Sequence, residues 1–266
     1  MTRVASGAVL VAIAIGAVWL MPPVLFLLVA ETVLVLACRE FAELARGSGV
    51  VIPRTVSTAG AMLTVAAFAP IALQTLFWAP VDTVLMTGFV AIGGMALLAW
   101  HGGHDAVTGV GAAVLPLLYL GLPIGAIVAV REMYGPSHVF LLMLTVFGSD
   151  TAQYYAGRAF GRHPLAPAIS PKKTIEGAAG GFLAGVIVVV VVGYWWLPTV
   201  PPLFCALLGA TLVALGIVGD LFESMLKRSA GVKDSSALIP GHGGVLDRLD
   251  ALIFAAPIYY VVLKYL

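Results

Sequence analysis

The stretch Pro202–Arg228, PLFCALLGATLVALGIVGDLFESMLKR, decides how the rest of the chain is read. No charged side chain occurs from Pro202 to Gly219; Asp220, Glu223, Lys227 and Arg228 then follow in quick succession. A helix rising 1.5 Å per residue from Pro202 reaches Asp220 after about 27 Å, close to the thickness of a bilayer's hydrocarbon core. Asp220 therefore meets the membrane at its edge. Glu223, Ser224 and Lys227 follow at i+3, i+4 and i+7, on the same helical face. Carboxylates at such a depth cost roughly 2.5–3.5 kcal/mol to insert at a helix centre, and are functional by default.

The whole chain agrees with this one helix. Of its 266 residues, 61% are hydrophobic and 10% charged, against about 25% charged in soluble domains. Lipid must be the solvent for much of the surface. The net charge of +1 says little about partners, and nothing points to nucleic acid. Cys38 and Cys205 both lie inside apolar runs, as small packing residues do, rather than in a disulfide pattern. The run Val4–Leu20 after Arg3 has the look of a signal peptide. Another apolar run follows it in place of a soluble domain, so it reads as a first span.

Nine segments qualify as spans, at about 4–20, 24–45, 56–76, 81–100, 108–130, 138–157, 175–197, 202–227 and 249–266. Pro22, Pro53, Pro80, Pro136, Pro198, Pro201 and Pro202 mark their boundaries, where helix breakers belong. The fifth, with Pro116, Gly121 and Pro123, is one kinked helix or two short ones. Nine spans with a cytoplasmic N-terminus leave only Arg131 and Lys264, of the 14 Lys and Arg, on the far side. That is the bias the positive-inside rule expects; a tenth span would destroy it. The sequence thus predicts an all-α, polytopic membrane protein of about nine helices. Residues 1–266 form one membrane domain, with a motif-poor part, 1–136, and a charge-bearing part, 137–266.

Beyond Arg228 comes a polar loop, after which Asp247 and Asp250 open the last helix, again on one face. Asp220, Glu223, Asp247 and Asp250 thus gather at the cytoplasmic boundary among Lys227, Arg228, Lys233 and Arg248. Carboxylates mixed with cations at a membrane surface suit Mg²⁺ bridging to phosphates, with Lys and Arg neutralising the remaining charge. Surface ion pairs between helix ends are the plainer alternative. A second basic element, Ser170-Pro171-Lys172-Lys173-Thr174-Ile175-Glu176-Gly177, precedes the seventh segment. Here Ser170 is expected as the N-cap and Pro171 as the first helical residue, which puts two lysines in a first turn where an anion would offset them. Ordinary membrane anchoring explains the same lysines. Gly177, Gly181 and Gly185 form a small-residue ridge for close helix packing. Asp150, within the sixth segment, needs a cation or a polar cavity, and Glu31 in the second has no partner visible in sequence. His101 and His104 lie in a glycine-rich loop and make a poor zinc site.

The stretch from Ser224 to Asp250 reads SMLKRSAGVKDSSALIPGHGGVLDRLD. Gly241, Gly243 and Gly244 let a backbone approach a ligand closely, and no Walker-type phosphate loop is present. Here the chain resembles the phosphatidate cytidylyltransferases, also called CDP-diacylglycerol synthases. Ser224, Lys227, Arg228, Lys233, Asp234, Pro240, His242, Gly243, Gly244, Asp247, Arg248 and Asp250 all match that family's pattern in register. Its Ser-Pro-Lys-Lys-Thr-x-Glu-Gly element matches Ser170–Gly177, and Asp150 stands where the family has an acidic residue. The resemblance runs from about residue 145 to the C-terminus.

The resemblance implies transfer of the cytidylyl group of CTP to phosphatidate, with CDP-diacylglycerol and pyrophosphate as products. It also implies Mg²⁺ with a second cation such as K⁺, carboxylates Asp220 and Asp247 as metal ligands, and a homodimer; the expected location is the cell inner (plasma) membrane, with the site facing the cytoplasm. Glu223 and Asp250 are alternate or outer ligands. Lys227, Arg228, Lys233 and Arg248 are phosphate clamps, with Asp234 beside them, and Lys172 and Lys173 hold triphosphate or lipid headgroup. Ser224, His242, Gly243 and Gly244 position ligands. Phosphatidate is already an anion, so the barrier is repulsion between two phosphorylated partners, met by cations in a fixed geometry rather than by a general base. A CTP-dependent lipid kinase is the nearest rival. A transporter would carry its charges near the midplane and show inverted repeats, and the Asp-x-x-Asp-Gly-x-x-Ala-Arg pattern of CDP-alcohol phosphotransferases is absent.

Overall fold

The structure, a computed structural model, describes residues 2–73, 79–102, 105–239, 241 and 243–266. It is almost entirely helical. In chain order the helices are α1 (Thr2–Leu20), α2 (Pro23–Gly47), α3 (Arg54–Ala67), α4 (Pro70–Leu73), α5 (Val81–Ala99), α6 (Ala106–Pro116), α7 (Leu122–Met133), α8 (Pro136–Phe160), α9 (Ile175–Trp196), α10 (Pro202–Ser229) and α11 (Leu246–Tyr265). Between α8 and α9 lies a short antiparallel hairpin, β1 (Pro164–Ala166) and β2 (Ser170–Thr174).

One expectation from sequence is corrected here. Ser170 and Pro171 do not start a helix; they belong to β2, and the helix begins at Ile175 behind Thr174. The Thr174 hydroxyl accepts from the Gly177 N–H at 3.1 Å, as an N-cap does. The turn before β2 explains the misreading. Pro167 pre-sets the φ of a turn closed by the Ile169 N–H on the Ala166 carbonyl (3.1 Å). Apart from this short hairpin the described residues have the all-α architecture expected.

Among the described residues, four helical runs are long and apolar enough to cross a membrane: Val81–Ala99, Ala106–Met133, Ile175–Trp196 and Pro202–Ser229. Val11–Leu20 is a shorter apolar stretch. The expected third span ends early, because α3 stops at Ala67 ahead of Pro70 and α4 is a single turn; residues 74–76 of that span lie outside the described ones. The fifth is one run rather than two. α6 passes into α7 through a π-helical turn, Leu117–Gly121, flanked by Pro116 and Pro123. The turn closes with the Leu122 N–H on the Leu117 carbonyl, between two prolines that each lack an N–H for the α-helical ladder.

Large apolar side chains cover the outside: on α5, Val90 is 70% exposed and Leu98 84%. Such an exterior belongs in lipid, where polar groups must be satisfied internally. The threonines comply. Thr32, Thr64, Thr145 and Thr211 each donate to the carbonyl four residues earlier, at 2.7–2.8 Å.

The chain divides into two compact units. The first comprises Met1–Glu132 with Leu226–Arg248. Its core is built on α2, whose Leu34, Ala37, Cys38 and Phe41 are buried. Arg131 donates to the carbonyls of Val18 (2.6 Å) and Met21 (2.8 Å) and stacks on Phe26, so one guanidinium satisfies the open end of α1. Glu132 does the converse at the start of α4, accepting from the Ile71 and Ala72 N–H groups (2.8 and 3.1 Å).

The second unit comprises Met133–Met225 with Leu249–Leu266. α8 lies along α9, and α9 against α10, through the expected glycine ridge. Gly181 leaves no room for a Cβ beside Gln153, nor Gly185 beside Val213. Across the latter contact, a Cβ on Gly209 would lie 2.9 Å from both the Gly185 carbonyl and the Val186 Cα. These are backbone atoms that cannot step aside. Gly209→Leu should therefore cost more than about 2 kcal/mol, as overpacked cores do. Gly93→Leu, at a position with nothing within 4 Å, should stay within about 0.5 kcal/mol of the parent. Thermal unfolding of both variants in detergent checks the contrast.

Candidate active site

Each unit carries its own constellation of the residues singled out by sequence. In the first, Lys227 in the last turn of α10 gives its ammonium to Asp247 Oδ1 at 2.6 Å. This is a buried pair, with side chains 11% and 6% exposed. Each charge sits at the helix end that favours it, a cation at the C-terminus of α10 and an anion in the first turn of α11. Asp247 Oδ2 accepts from the N–H groups of Ser235 (2.9 Å) and Gly244 (2.8 Å), and the Ser235 hydroxyl lies 2.8 Å away. A buried carboxylate needs this many donors, since an uncompensated one is destabilising.

The loop can wrap the carboxylate so closely because of its glycines. Gly243 has φ +76° and Gly241 +77°, in the left-handed region. A Cβ on Gly243 would lie 2.5 Å from Asp247 Oδ2, and one on Gly244 would overlap Ser235 Oγ and the carboxylate of Glu40. Ile239 N–H closes the turn on the Gly243 carbonyl at 2.8 Å. Pro240 and His242, within it, lie outside the described residues.

Glu40, near the end of α2, was not singled out by sequence, yet it is only 4% exposed. Its Oε1 accepts from Ser236 Oγ (2.7 Å) and Val245 N–H (2.9 Å), and its Oε2 from Leu246 N–H (2.8 Å), with Ser235 Oγ also at 2.8 Å. It serves as a remote N-cap for α11. Nearby, Ser48 pairs with Ser229 (Oγ to Oγ, 3.0 Å), and Gly47 packs against Ala230. α2 thus grips the loop at both ends. Arg228 turns to the Val232 carbonyl (3.2 Å), while Lys233, Asp234 and Arg248 face outward.

In the second unit, Lys173 on β2 forms an ion pair with Asp220, whose Oδ1 lies 3.3 Å from the Ser224 hydroxyl. The i,i+4 face read from sequence is therefore real for Asp220 and Ser224. This pair is the more open one, with side chains 22% and 27% exposed. Glu223 is fully buried. Lys172 stands exposed on β2, and Asp150 accepts from Gln153 (3.0 Å) on the same turn of α8. Asp250 Oδ1 accepts from Ala251 N–H (2.8 Å) in the first turn of α11. The hairpin is tied down by Glu176, which accepts from the Arg162 and His163 N–H groups (3.0 and 3.3 Å) and meets the His163 ring at 2.6 Å.

Among the described residues, no group of three or more His, Cys, Asp or Glu side chains is gathered as a preformed metal cage. The donors present are hard oxygens. One or two carboxylates with phosphate and water completing the shell is the pattern Mg²⁺ adopts in nucleotide enzymes, and Asp247 in the first unit and Asp220 in the second each offer oxygen donors of that kind.

Lysine–carboxylate pairs, glycine-lined backbone and a basic hairpin on a helical membrane protein are features suited to phosphate compounds. Comparison with known proteins makes this specific. Residues 1–266 match the model of the cytidylyltransferase family, and the chain belongs to that family. It is 35% identical to the phosphatidate cytidylyltransferase of Pseudomonas aeruginosa, over 98% of this chain and 96% of that one. It is also similar to the phosphatidate cytidylyltransferases of Helicobacter pylori strain J99 (37% identity, 70% and 66% of the two chains) and Bacillus subtilis (35%, 58% of each).

The two ion pairs differ in burial and so should differ in worth. Lys227→Met leaves the buried Asp247 without that ammonium and should lower stability by about 3 kcal/mol. Lys173→Met, at the more open pair, should cost about 1 kcal/mol or less. Denaturant unfolding of both variants in the same detergent measures the difference.

Proposed function

We propose that this chain transfers the cytidylyl group of CTP to phosphatidate, releasing pyrophosphate and giving CDP-diacylglycerol for phospholipid synthesis. The observation that carries this is near full-length similarity to a phosphatidate cytidylyltransferase in a chain that retains the family's charged pattern from Ser224 to Asp250. A phosphate oxygen of phosphatidate attacks the α-phosphorus of CTP. The new P–O bond forms as the bridge to the β-phosphorus breaks, and its electron pair leaves with pyrophosphate.

Mg²⁺ is assigned to Asp220 and Asp247, with Glu223 and Asp250 as alternate or outer ligands and a second cation such as K⁺ alongside. When bound, the metal offsets charge on the transferring and leaving phosphate oxygens. The protein's own work is positioning and neutralisation. Lys227, Arg228, Lys233 and Arg248 clamp phosphates, beside Asp234. Lys172 and Lys173 hold the triphosphate or the lipid headgroup, and Ser224 and His242 orient ligands. Gly243 and Gly244 admit close approach of the backbone. Each metal-assigned aspartate already has a lysine partner, so anion-binding and cation-binding groups lie side by side.

The same reading takes about nine spans with a cytoplasmic N-terminus, supported by the bias of Lys and Arg toward one side. It places the protein in the bacterial inner membrane as a homodimer, with the site facing the cytoplasm. Lipid phosphate then lies at the interface while CTP arrives from the cytosol.

The test uses purified protein with phosphatidate, Mg²⁺ and CTP labelled separately at the α- and γ-phosphates. Mg²⁺-dependent α-label in the lipid with γ-label in pyrophosphate is expected, and Asp247→Asn should lower the rate by about 100-fold or more. Label from the γ-phosphate in the lipid would establish a kinase instead.

A further inference from the structure

Glu40 lies 195 residues before Ser235 in sequence and outside every motif, yet it is the most heavily bonded carboxylate of the first unit besides Asp247. The two acids meet at one group. Ser235 Oγ lies 2.8 Å from Glu40 Oε2 and 2.8 Å from Asp247 Oδ2. A hydroxyl has a single proton and can donate to only one of them.

Counting lone pairs decides which. Asp247 Oδ2 already accepts two backbone N–H groups, from Ser235 and Gly244, which fills the two sites an sp² carboxylate oxygen offers. Glu40 Oε1 also has two donors, Ser236 Oγ and Val245 N–H. Glu40 Oε2 has one, Leu246 N–H, until the Ser235 hydroxyl supplies the second. With the proton on the Glu40 side, each of these three oxygens has two donors. With it on the Asp247 side, one oxygen is overloaded and the other short.

We infer that Glu40 is a positioning residue for Asp247: by drawing the Ser235 hydroxyl and the first N–H groups of α11 to itself, it sets the loop that aims the Asp247 carboxylate. This rests on the cytidylyl-transfer reading of the loop. Glu40 touches no reacting atom. It acts through Ser235, whose backbone N–H holds Asp247 while its side chain is held by Glu40, and through Gly244, whose N–H holds Asp247 and where a Cβ would overlap the Glu40 carboxylate.

Glu40→Gln keeps the volume but presents an amide NH₂ to N–H and O–H donors. The expected result is a fall in kcat of about 10–100-fold, as for other groups that orient a first-contact carboxylate, with KM for phosphatidate within about twofold. In an Asp247→Asn background the same change should add almost nothing, because the aim of Asp247 no longer matters. A readout free of activity goes with it: amide hydrogen exchange at Ser235 and Gly244, the two N–H groups on Asp247, should quicken by about tenfold or more. Losses that add in full to those of Asp247→Asn, or exchange that quickens only at Val245 and Leu246, would reduce Glu40 to a helix cap and overturn the proposal. So would unchanged kcat with unchanged exchange. If Glu40→Gln does not fold, Ser235→Ala removes only the shared hydroxyl and is read by the same criteria. Failure of the cytidylyl-transfer reading would appear separately, as parent protein that puts no α-label into lipid, and the exchange measurement still decides the role of Glu40.

Discussion

A buried carboxylate has to be surrounded by donors, and Asp247 is the group around which the first unit arranges them. Its donors come from two places: the end of α10 supplies Lys227 and the loop supplies Ser235 and Gly244, while Glu40 of α2 accepts from the Ser235 hydroxyl behind them. None of this closes without Gly243 and Gly244, because a side chain at either would occupy the space the carboxylates use. The conformation of the loop and the burial of the charge are one fact, since a buried acid that lost these donors would be expensive enough to open the loop.

The second unit solves a related problem with less burial. Asp220 ends the apolar part of α10 and is met by Lys173 from the hairpin rather than from a neighbouring helix. The hairpin is itself pinned by Glu176, and the glycine contacts of α9 with α8 and α10 bring these elements within reach. Small residues thus do the structural work that allows charged ones to meet. In lipid, where helices gain nothing from hiding apolar surface, close packing is the main source of such precision.

Much of this was legible in sequence. The eighth apolar segment, its charged end and the first turn of α11 follow from hydropathy and helical spacing, and the facing of Asp220 and Ser224 follows from i,i+4. The hairpin was misread because Ser-Pro before a helix is a good start signal, and only the proline turn at Ala166–Ile169 outweighs it. Glu40 was invisible for a different reason. It sits among Arg39, Glu43 and Arg46 at the end of an apolar helix, where charges ordinarily mark a membrane boundary, and Glu43 does make ion pairs of that kind. Its partners are backbone N–H groups and serines far along the chain, which leave no spacing pattern. The expectation of nine spans rests on the bias of Lys and Arg; by length and apolarity four runs qualify among the described residues, and the third expected span falls short because α3 stops at Ala67.

The proposed function has the loop between α10 and α11 facing the cytoplasm and receiving the nucleotide. Leu238, 52% exposed in that loop, offers a direct probe, since both native cysteines are buried. Leu238→Cys should react with a membrane-impermeant maleimide in inside-out vesicles and not in right-side-out ones, and CTP with Mg²⁺ should slow the reaction about fivefold or more, as a bound ligand shields its site. Modification from the outer side, or a rate indifferent to CTP, would contradict the account.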